Sequence, residues 1–569
     1  MRKKISTGIS DFRSFRAEDA YFIDKTLFVQ EWIEASSQTS LVIRPRRFGK
    51  TLNMSLAKYF FNVKENEKNK SLFEGTLIAQ NVAFCAKHQG KYPVIHLTFK
   101  DIKATNFEGT MRHIQQLISE VYRENAYLLA ENSLDADQNT YFDTILHRKA
   151  SLTDTALSLR KLTDWLAAYH QTDVLILLDE YDSPIHSGYL HGYYKEIIEF
   201  MRPFLGAAFK DNPSLKKGLI TGVLRVSKES LFSDVNNIIV YSVLNYDYAD
   251  KYGFTETEVR EALNYFDLGE KFEAVKSWYD GYKIGDKEDI YNPWSIANFL
   301  TKHKEGFQSH WVNTSSDDMI KKHVAARNAE ELRETIEELL QDGSISVVLA
   351  ENITFADVER DNEMFWSMLT FAGYLTPIEK ISGKLYRLRI PNQEIQELFR
   401  LLLYKWFTTE VRVSSNALRA MIHSLTQEKG KDLEKHFRAV MKDTLSYFDL
   451  AGEPEKVAHA YVLGLISLVG EEYIIRSNRE SGLGRYDILM IPKDKKSYGV
   501  LLEMKVIDKN SNETQIEAKK KEALTQITKN EYFHELQEHE IAERLDIAAV
   551  FVGKKPYILM EFHHADSRG

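Results

Sequence analysis

Residues 41–60 read LVIRPRRFGKTLNMSLAKYF, and their pattern sets the type of fold expected for the N-terminal part of the chain. A short apolar run, LVI, leads into RPRRFGKT, and apolar residues then recur at helical spacing over 52–60. The pattern predicts a strand, a loop and a helix in that order. The tripeptide GKT stands where the loop meets the helix, as in the second half of a phosphate-binding loop.

Each residue of this tripeptide suits a triphosphate. Gly49 lets the backbone approach a phosphate without a Cβ, Lys50 would bridge the β- and γ-phosphates, and the Thr51 hydroxyl would bind Mg²⁺. The first free N–H groups of the helix would add to the positive potential. Arg44 replaces the first glycine of the usual Walker A pattern, and a surface turn with a solvated lysine is the alternative.

The residues around the tripeptide complete the predicted nucleotide-binding set. Arg46, Arg47, Phe48 and Leu52 belong to it by position. The arginines at 44, 46 and 47 allow several interpretations, because they could add positive charge around the triphosphate, face solvent or contact nucleic acid. The sequence leaves these alternatives open.

A second apolar run, VLILL at 174–178, ends in Asp179 and Glu180. A strand that is apolar on both faces is typical of a mostly parallel sheet with covered faces. The run fits a Walker B element, in which Asp179 holds Mg²⁺ and Glu180 is the general base for the attacking water. Asp182 follows closely, so repulsion between carboxylates is expected without a cation. Solvated acids at an ordinary strand end are the alternative.

The run GLITGV at 218–223 adds a further strand with two candidate residues. Thr221 at the strand end could sense the γ-phosphate, and Arg225 could stabilise charge in cis or in trans. A salt-bridged surface arginine is the alternative for Arg225. A role in trans would require a homo-oligomer.

The order of patterns divides the chain into three predicted domains. Strands alternate with helices over 1–245, which predicts an α/β P-loop NTPase domain with a parallel sheet. Residues 246–440 are charged and mostly helical in pattern, which predicts a lid or linker region. Residues 441–569 return to strands and a helix, which predicts a smaller α/β domain.

The C-terminal domain carries a second group of candidate catalytic residues. Asp487 starts an apolar strand, and Glu503 and Lys505 lie in LLEMKV, where residues two apart project to one face and Met504 turns into the core. Two carboxylates can hold Mg²⁺ or Mn²⁺, and the Lys505 ammonium can orient water or stabilise phosphorane-like charge. A charged strand edge is the alternative. Gln526 either faces the same site or is an amide side chain at the edge of the hydrophobic core.

The composition excludes few functions. The 569 residues carry a formal charge of -9, which rules out only a globally basic nucleic-acid binder and still permits a local basic face. A single cysteine, Cys85, excludes an intramolecular disulfide and fits a cytoplasmic protein. No apolar run is long enough to predict a membrane span.

Long phrases of this sequence resemble a known family. The N-terminal phrases are similar to the AAA-ATPase-like family of bacterial proteins, and the C-terminal ones to the PD-(D/E)xK nuclease domain that is usually fused to it. The N-terminal phrases are YFIDKTLFV, RPRRFGKTLNMSLAKYFF, VLILLDEYDSPI, ITGVLRVSKESLFSDVNN, WYDGYKIG and IYNPWSI. The C-terminal phrases are SNRESGLGRYDILMIP, GVLLEMKV and EALTQI. Tyr486 replaces the proline that the family has before its aspartate.

The resemblance implies a P-loop ATPase fold, a restriction-endonuclease-like core, and ATP and Mg²⁺ or Mn²⁺ as cofactors. It implies that RRFGK is usual at this loop, so Arg44 departs from Walker A but not from the family. Asp487, Glu503 and Lys505 fall on the nuclease motif, and Glu455 is a candidate for a further acid.

Two functions are consistent with these residues. In the first, ATP binding or hydrolysis controls metal-dependent cleavage of nucleic acid, with DNA favoured as the substrate. In the second, the chain is an ATP-dependent switch whose C-terminal fold only binds nucleic acid or protein. Spatial convergence of the three C-terminal residues would favour the first.

Overall fold

The computed structural model describes most of the chain and divides it into two compact units. The first unit comprises Met1–Asn313 and Ser346–Glu394, and the second Thr314–Ile345 and Ile395–Gly569. The described residues are 3–131, 133–226, 237–311, 343–353, 361–409, 414–444, 472–477, 487–508, 510–529, 533–552 and 555–564, with shorter pieces between 335 and 358 and between 462 and 485. The predicted domain boundaries near 245 and 440 remain predictions.

A five-stranded parallel sheet forms the centre of the first unit. Its order is β2-β3-β4-β1-β5, and every neighbouring pair is parallel. The strands are β1 (Thr39–Ile43), β2 (Val94–Thr98), β3 (Val174–Asp179), β4 (Leu215–Gly222) and β5 (Ile238–Tyr241). All six residues of β3 are buried, as its apolar composition predicts for a strand covered on both faces. The expected P-loop NTPase-like α/β fold is confirmed.

Helices surround this sheet because they supply the connections between its parallel strands. They are α1 (Phe12–Ala17), α2 (Phe28–Glu34), α3 (Lys50–Phe61), α4 (Asn66–Ser71), α5 (Val82–His88), α6 (Phe107–Glu124), α7 (Tyr127–Ala130), α8 (Ala136–Leu146), α9 (Leu152–His170), α10 (Ser183–His191) and α11 (Tyr194–Phe209). The residues that follow β1, β3 and β4 share one edge of the sheet, since the carboxyl ends of parallel strands lie together. Ile43 pairs with Gly222, and Leu178 pairs with Ile220.

The region 246–440 contains helices, as predicted, and also two small antiparallel sheets that the sequence patterns did not indicate. Its helices are α12 (Glu256–Tyr265), α13 (Phe272–Tyr279), α14 (Pro293–Lys302), α15 (Asn362–Ala372), α16 (Gln393–Thr409), α17 (Ser415–Thr426) and α18 (Leu433–Thr444). One sheet consists of β6 (Phe254–Thr255), β7 (Tyr282–Ile284) and β8 (Lys287–Tyr291), and the other of β9 (Ile345–Val348), β10 (Thr376–Ser382) and β11 (Leu385–Arg389).

The second unit contains a mixed five-stranded sheet of order β12-β15-β16-β17-β18, in which only β16 and β17 run parallel. Its strands are β12 (Tyr473–Ser477), β15 (Ile488–Pro492), β16 (Gly499–Ile507), β17 (Arg544–Val552) and β18 (Lys555–His563), and a short hairpin of β13 (Glu480–Ser481) and β14 (Gly484–Arg485) precedes β15. The helices are α19 (Glu513–Lys529) and α20 (His534–Glu538). Apolar residues of α19 and of the central strands share one core cluster.

No helix among the described residues is long and apolar enough to cross a membrane.

Candidate functional site

The phosphate-binding loop has the backbone that its sequence predicts. Gly49 has a φ of 80° and caps α3, whose first residue is Lys50. A Cβ at Gly49 would meet no protein heavy atom within 4 Å, and the left-handed backbone is by itself a reason for glycine here. The helix thus begins directly at the tripeptide GKT and directs its first N–H groups toward the loop.

The residues predicted to hold Mg²⁺ converge at the strand ends. Thr51 Oγ1 donates to Asp179 Oδ2 at 2.7 Å, and the Thr221 hydroxyl donates to the other oxygen of the same carboxylate. Asp179 is fully buried, and burial raises the pKa of its carboxyl, to which the charge of Glu180 adds. Three residues predicted from three separate motifs therefore form one hydrogen-bonded group.

Lys50 is buried beside this group. Its ammonium donates to the carbonyls of Arg44 at 2.9 Å and Pro45 at 2.8 Å. Burial lowers the pKa of Lys50, and the nearby charges of Glu180 and Asp179 oppose that effect. A phosphate placed against the loop would offer the ammonium a charged acceptor in place of two neutral carbonyls.

Glu180 has an unusual backbone for a non-glycine residue. Its φ is 52°, in the left-handed region, and Ser183 Oγ donates to its Oε2 at 3.1 Å. Such a conformation costs about 1–3 kcal/mol and persists only where the surrounding structure enforces it. The left-handed residue sits directly after Asp179, where the predicted general base belongs.

Arg44 does not face solvent, which was one of the alternatives that the sequence left open. The side chain has no exposed area, and Nη1 donates to the carbonyls of Ile43, Tyr241 and Ser242 at 2.9 Å each. Burial lowers the pKa of Arg44 to about 10. The residue ties the end of β1 to the segment after β5, because a guanidinium can reach several backbone carbonyls at once.

The other loop residues separate into buried and exposed side chains. Phe48 is 1% exposed and its ring packs against Tyr282 with the centroids 5.1 Å apart. Leu52 packs against the apolar core of the first unit. Only the backbone N–H groups of these two residues are therefore suited to a phosphate, whereas Arg46 and Arg47 keep accessible side chains.

The loop that carries Arg225 is held by two residues whose role the sequence analysis missed. The Asp182 carboxylate accepts the backbone N–H groups of Val223 at 2.8 Å and Leu224 at 3.0 Å, and the Tyr181 hydroxyl donates to the Leu224 carbonyl at 2.7 Å. The dense spacing of acids in LLDEYD was the available signal. Arg225 is half-buried, and its role in charge stabilisation remains a prediction.

The three C-terminal candidate residues also converge. Ile488 pairs with Leu502 across antiparallel strands, which places Asp487 opposite Glu503. The Met504 N–H donates to Asp487 Oδ2 at 2.7 Å, and Lys505 Nζ lies 2.8 Å from Glu503 Oε1. Met504 is 1% exposed, as predicted for a side chain turned into the core.

Glu503 is a buried carboxylate with an unused acceptor. The residue is 2% exposed, and its Oε2 has no hydrogen-bond partner among the described residues. Burial and the charge of Asp487 raise the pKa of Glu503 to about 7. A buried carboxylate beside a second one is stabilised by a cation, so this donor set fits a divalent metal.

Comparison with known proteins agrees with this two-site arrangement. Residues 6–232 match the family model described as a predicted AAA-ATPase, and residues 453–561 match the PD-(D/E)XK nuclease superfamily. The chain combines a predicted AAA-ATPase domain with a PD-(D/E)XK nuclease-superfamily domain. Both parts of the resemblance noted in the sequence are thereby confirmed. Domains of these two kinds generally use a nucleotide and a divalent metal.

Among the individual proteins that are similar to this chain are an uncharacterized bacterial protein and a solved archaeal structure. An uncharacterized protein in the vnfD 5' region of Azotobacter chroococcum is 26% identical over 404 residues, covering 69% of each chain. The solved Walker-type ATPase PABY2304 of Pyrococcus abyssi aligns with 70% of this chain and 99% of its own, at 13% identity and a TM-score of 0.36.

The nuclease-superfamily domain places Gln526 on the helix that covers its sheet. Gln526 is half-buried in α19, whose buried residues Ala523 and Leu524 pack on the same sheet face as Leu501. Its part in catalysis remains a prediction. Glu455 and Tyr486 lie outside the described residues.

The first unit also contains an acidic group that no sequence motif indicated. Carboxylate oxygens of Glu256, Asp280 and Asp289 lie within 4.8 Å of one another. The Lys276 ammonium lies 2.6 Å from Glu256, 3.2 Å from Asp289 and 3.8 Å from Asp280. Because the single Lys276 ammonium reaches all three carboxylates of this group, we assign it no metal.

Proposed function

We propose that this protein binds and hydrolyses ATP with Mg²⁺ in its N-terminal domain. We also propose that its C-terminal domain cleaves phosphodiester bonds of nucleic acid, with DNA as the substrate, using Mg²⁺ or Mn²⁺. ATP binding or hydrolysis controls the cleavage.

The observation that carries the nuclease proposal is the unused oxygen of Glu503. Lys505 pairs with Oε1 of Glu503, whereas the buried Oε2 has no hydrogen-bond partner among the described residues, so a metal cation bound at Oε2 and Asp487 would offset the repulsion between the two carboxylates. Asp487 and Glu503 would hold the metal, which supplies an activated water and neutralises charge on the phosphate. Lys505, 2.8 Å from Glu503, is near enough to orient that water or to stabilise the phosphorane-like charge.

The ATPase proposal rests on the hydrogen-bonded group around Asp179. Thr51 and Asp179 would hold Mg²⁺, Lys50 would bind the β- and γ-phosphates, and Thr221 would sense the γ-phosphate from its position on the same carboxylate. Glu180, which directly follows Asp179, would accept the proton of the attacking water.

A cleavage assay tests the nuclease proposal. Supercoiled plasmid is incubated with the protein, ATP, and Mg²⁺ or Mn²⁺, and nicked and linear products are followed over time. We expect cleavage by the wild type and a loss of roughly 100-fold or more in Asp487→Asn and Lys505→Ala, because each change removes a charge from the metal site. Asp494→Asn, an exposed acid between β15 and β16, is the matched control.

The same assay separates the two functions. Cleavage that is absent in the wild type, or unchanged in Asp487→Asn, would exclude the nuclease. Retention of a labelled oligonucleotide without cleavage would then support the ATP-dependent switch.

A further inference from the structure

The phosphate-binding loop lacks the flexible first glycine of Walker A, and residues far along the chain hold it instead. The carbonyl of Arg46 accepts two side-chain hydrogen bonds, from Asn292 Nδ2 at 3.2 Å and from Trp311 Nε1 at 3.2 Å. Both donors follow the parallel sheet in sequence. These two hydrogen bonds therefore hold the loop backbone at Arg46.

Arg47 is a non-glycine residue of this loop with a left-handed backbone, and its side chain has a specific contact. Its φ is 67°, in the left-handed region, which a non-glycine residue adopts at a cost. Its guanidinium carbon lies 4.2 Å from the centroid of the Trp294 ring. A guanidinium over the face of an indole is favoured by a cation–π interaction of about 0.5–2 kcal/mol.

The Trp294 ring is itself held in place. Its Nε1 donates to the His310 carbonyl at 3.0 Å, and its backbone N–H donates to Asn292 Oδ1 at 2.9 Å at the start of α14. The buried Glu394 carboxylate accepts the backbone N–H groups of His310 at 2.6 Å and Trp311 at 2.8 Å. The indole is therefore a fixed platform and not a mobile surface group.

Arg47 belongs to the phosphate-binding loop itself, three positions before Lys50. Burial lowers the pKa of Arg47, and the negative charge of Glu180 acts in the opposite direction, so the two side chains interact electrostatically. An arginine fixed beside a γ-phosphate supplies positive charge to the transition state of phosphoryl transfer.

We propose that Trp294 is a positioning residue that holds the Arg47 guanidinium beside the γ-phosphate, so that Arg47 stabilises transition-state charge in cis. This inference rests on the proposed ATPase function. It gives Arg47 the part that the sequence suggested for Arg225, and it includes the segment YNPWS at 291–295 in the nucleotide site. No bond to Arg47 forms or breaks in the reaction.

The test measures ATP turnover as kcat and KM for the wild type, Trp294→Leu, Trp294→Phe, Arg47→Ala and the double variant Arg47→Ala/Trp294→Leu. We expect kcat to fall roughly 100-fold or more in Arg47→Ala and at least about 10-fold in Trp294→Leu, with KM changing less than about threefold. Trp294→Phe keeps an aromatic face and should retain most of the turnover. The double variant should be no slower than Arg47→Ala, because Trp294 acts only through Arg47.

Trp278→Leu is the matched control, since Trp278 is another half-buried tryptophan of the same unit and stacks on Phe307. Lys50→Ala separates the two proposals. Wild-type turnover no faster than that of Lys50→Ala would exclude the ATPase itself. Two results would overturn the positioning role alone, provided that Lys50→Ala is slow. One is a Trp294→Leu variant that turns over ATP as fast as the wild type. The other is a double variant in which the losses of the two single variants add up fully.

Discussion

Arg44 shows how one residue can replace the function of a loop glycine without contacting a ligand. Its Nη2 reaches the carbonyls of Asp247 at 3.1 Å and Tyr248 at 3.3 Å, in addition to the three carbonyls that Nη1 reaches. Five backbone carbonyls therefore accept hydrogen bonds from one side chain. The loop is therefore stiffened by a guanidinium at the position where Walker A loops have glycine.

We predict that Arg44→Lys destabilises the protein by about 2–4 kcal/mol, because an ammonium has three donors and lacks the planar fork that spans both groups of carbonyls. The measurement is urea denaturation, with Arg112→Lys on the exposed face of α6 as the control. Equal stability of the two variants would show that the carbonyls around Arg44 find other donors.

Glu394 makes the stability of the first unit depend on pH. Burial raises the pKa of Glu394 to about 7, although hydrogen bonds from Ser295, Trp311 and His310 oppose the rise. Between its unfolded pKa near 4.5 and about 7, the folded carboxyl keeps a proton that the unfolded chain releases. The unfolded state therefore binds fewer protons, and the contribution of this group to stability falls as pH rises through that window.

We predict that Glu394→Gln removes part of this pH dependence. The amide oxygen still accepts the two backbone N–H groups and the amide nitrogen can donate to the Ser295 hydroxyl, so the fold is kept. The free energy of unfolding, measured between pH 5 and pH 7, should fall less steeply with pH in Glu394→Gln than in the wild type. The difference in slope is at most about 1.4 kcal/mol per pH unit. Identical slopes would contradict the raised pKa.

At the level of elements, the sequence predicted those with a long apolar pattern. The runs LVI, VLILL and GLITG became β1, β3 and β4, and parallel pairing then brought Thr51, Asp179 and Thr221 together. The strands β6 and β7 were not predicted, since two or three residues are too short for a periodic signal. Contacts such as Trp311 with Arg46, which are 265 residues apart, have no local signal at all.

The turn from α13 to β7 depends on a glycine for two separate reasons. Gly281 has a φ of 95°, and a Cβ there would lie 2.0 Å from the Pro391 carbonyl oxygen. Gly306 has a φ of 86° but nothing within 4 Å. Comparing alanine at the two positions therefore separates backbone strain from a steric clash.

We predict that Gly306→Ala costs about 1–3 kcal/mol from backbone strain alone, because its φ of 86° and ψ of -167° lie in a region that is essentially restricted to glycine. Gly281→Ala should cost at least about 3 kcal/mol, because the neighbouring backbone must also move. Thermal unfolding of the two variants measures the difference. Equal shifts in Tm would mean that the backbone at Pro391 moves away from the new Cβ without loss of stability.

At the level of the whole molecule, the sequence identified two chemical sites, and the structure assigns them to different units. The group around Asp179 belongs to the first unit, and Asp487 with Glu503 belongs to the second. Both sites were predictable because each depends on side chains in or next to apolar strands, where pairing of neighbouring strands decides proximity. The sequence did not predict how the P-loop is supported by Asn292, Trp294 and Trp311, because that support depends on packing between distant segments.

Because the two sites lie in different units, we predict that a change in the nuclease site leaves ATP turnover intact, whereas loss of the P-loop lysine also removes the effect of ATP on cleavage. Asp487→Asn keeps the shape of the side chain and removes its charge in the second unit, so ATP turnover should stay within about twofold of the wild type while cleavage is lost. Lys50→Ala should abolish turnover, and ATP should then no longer change the rate of plasmid cleavage. ATP turnover and plasmid cleavage, measured in the same preparations of each variant, test this prediction. Asp494→Asn should be unchanged in both. If ATP still altered cleavage by Lys50→Ala, the control of the nuclease would have to come from a nucleotide site other than the P-loop.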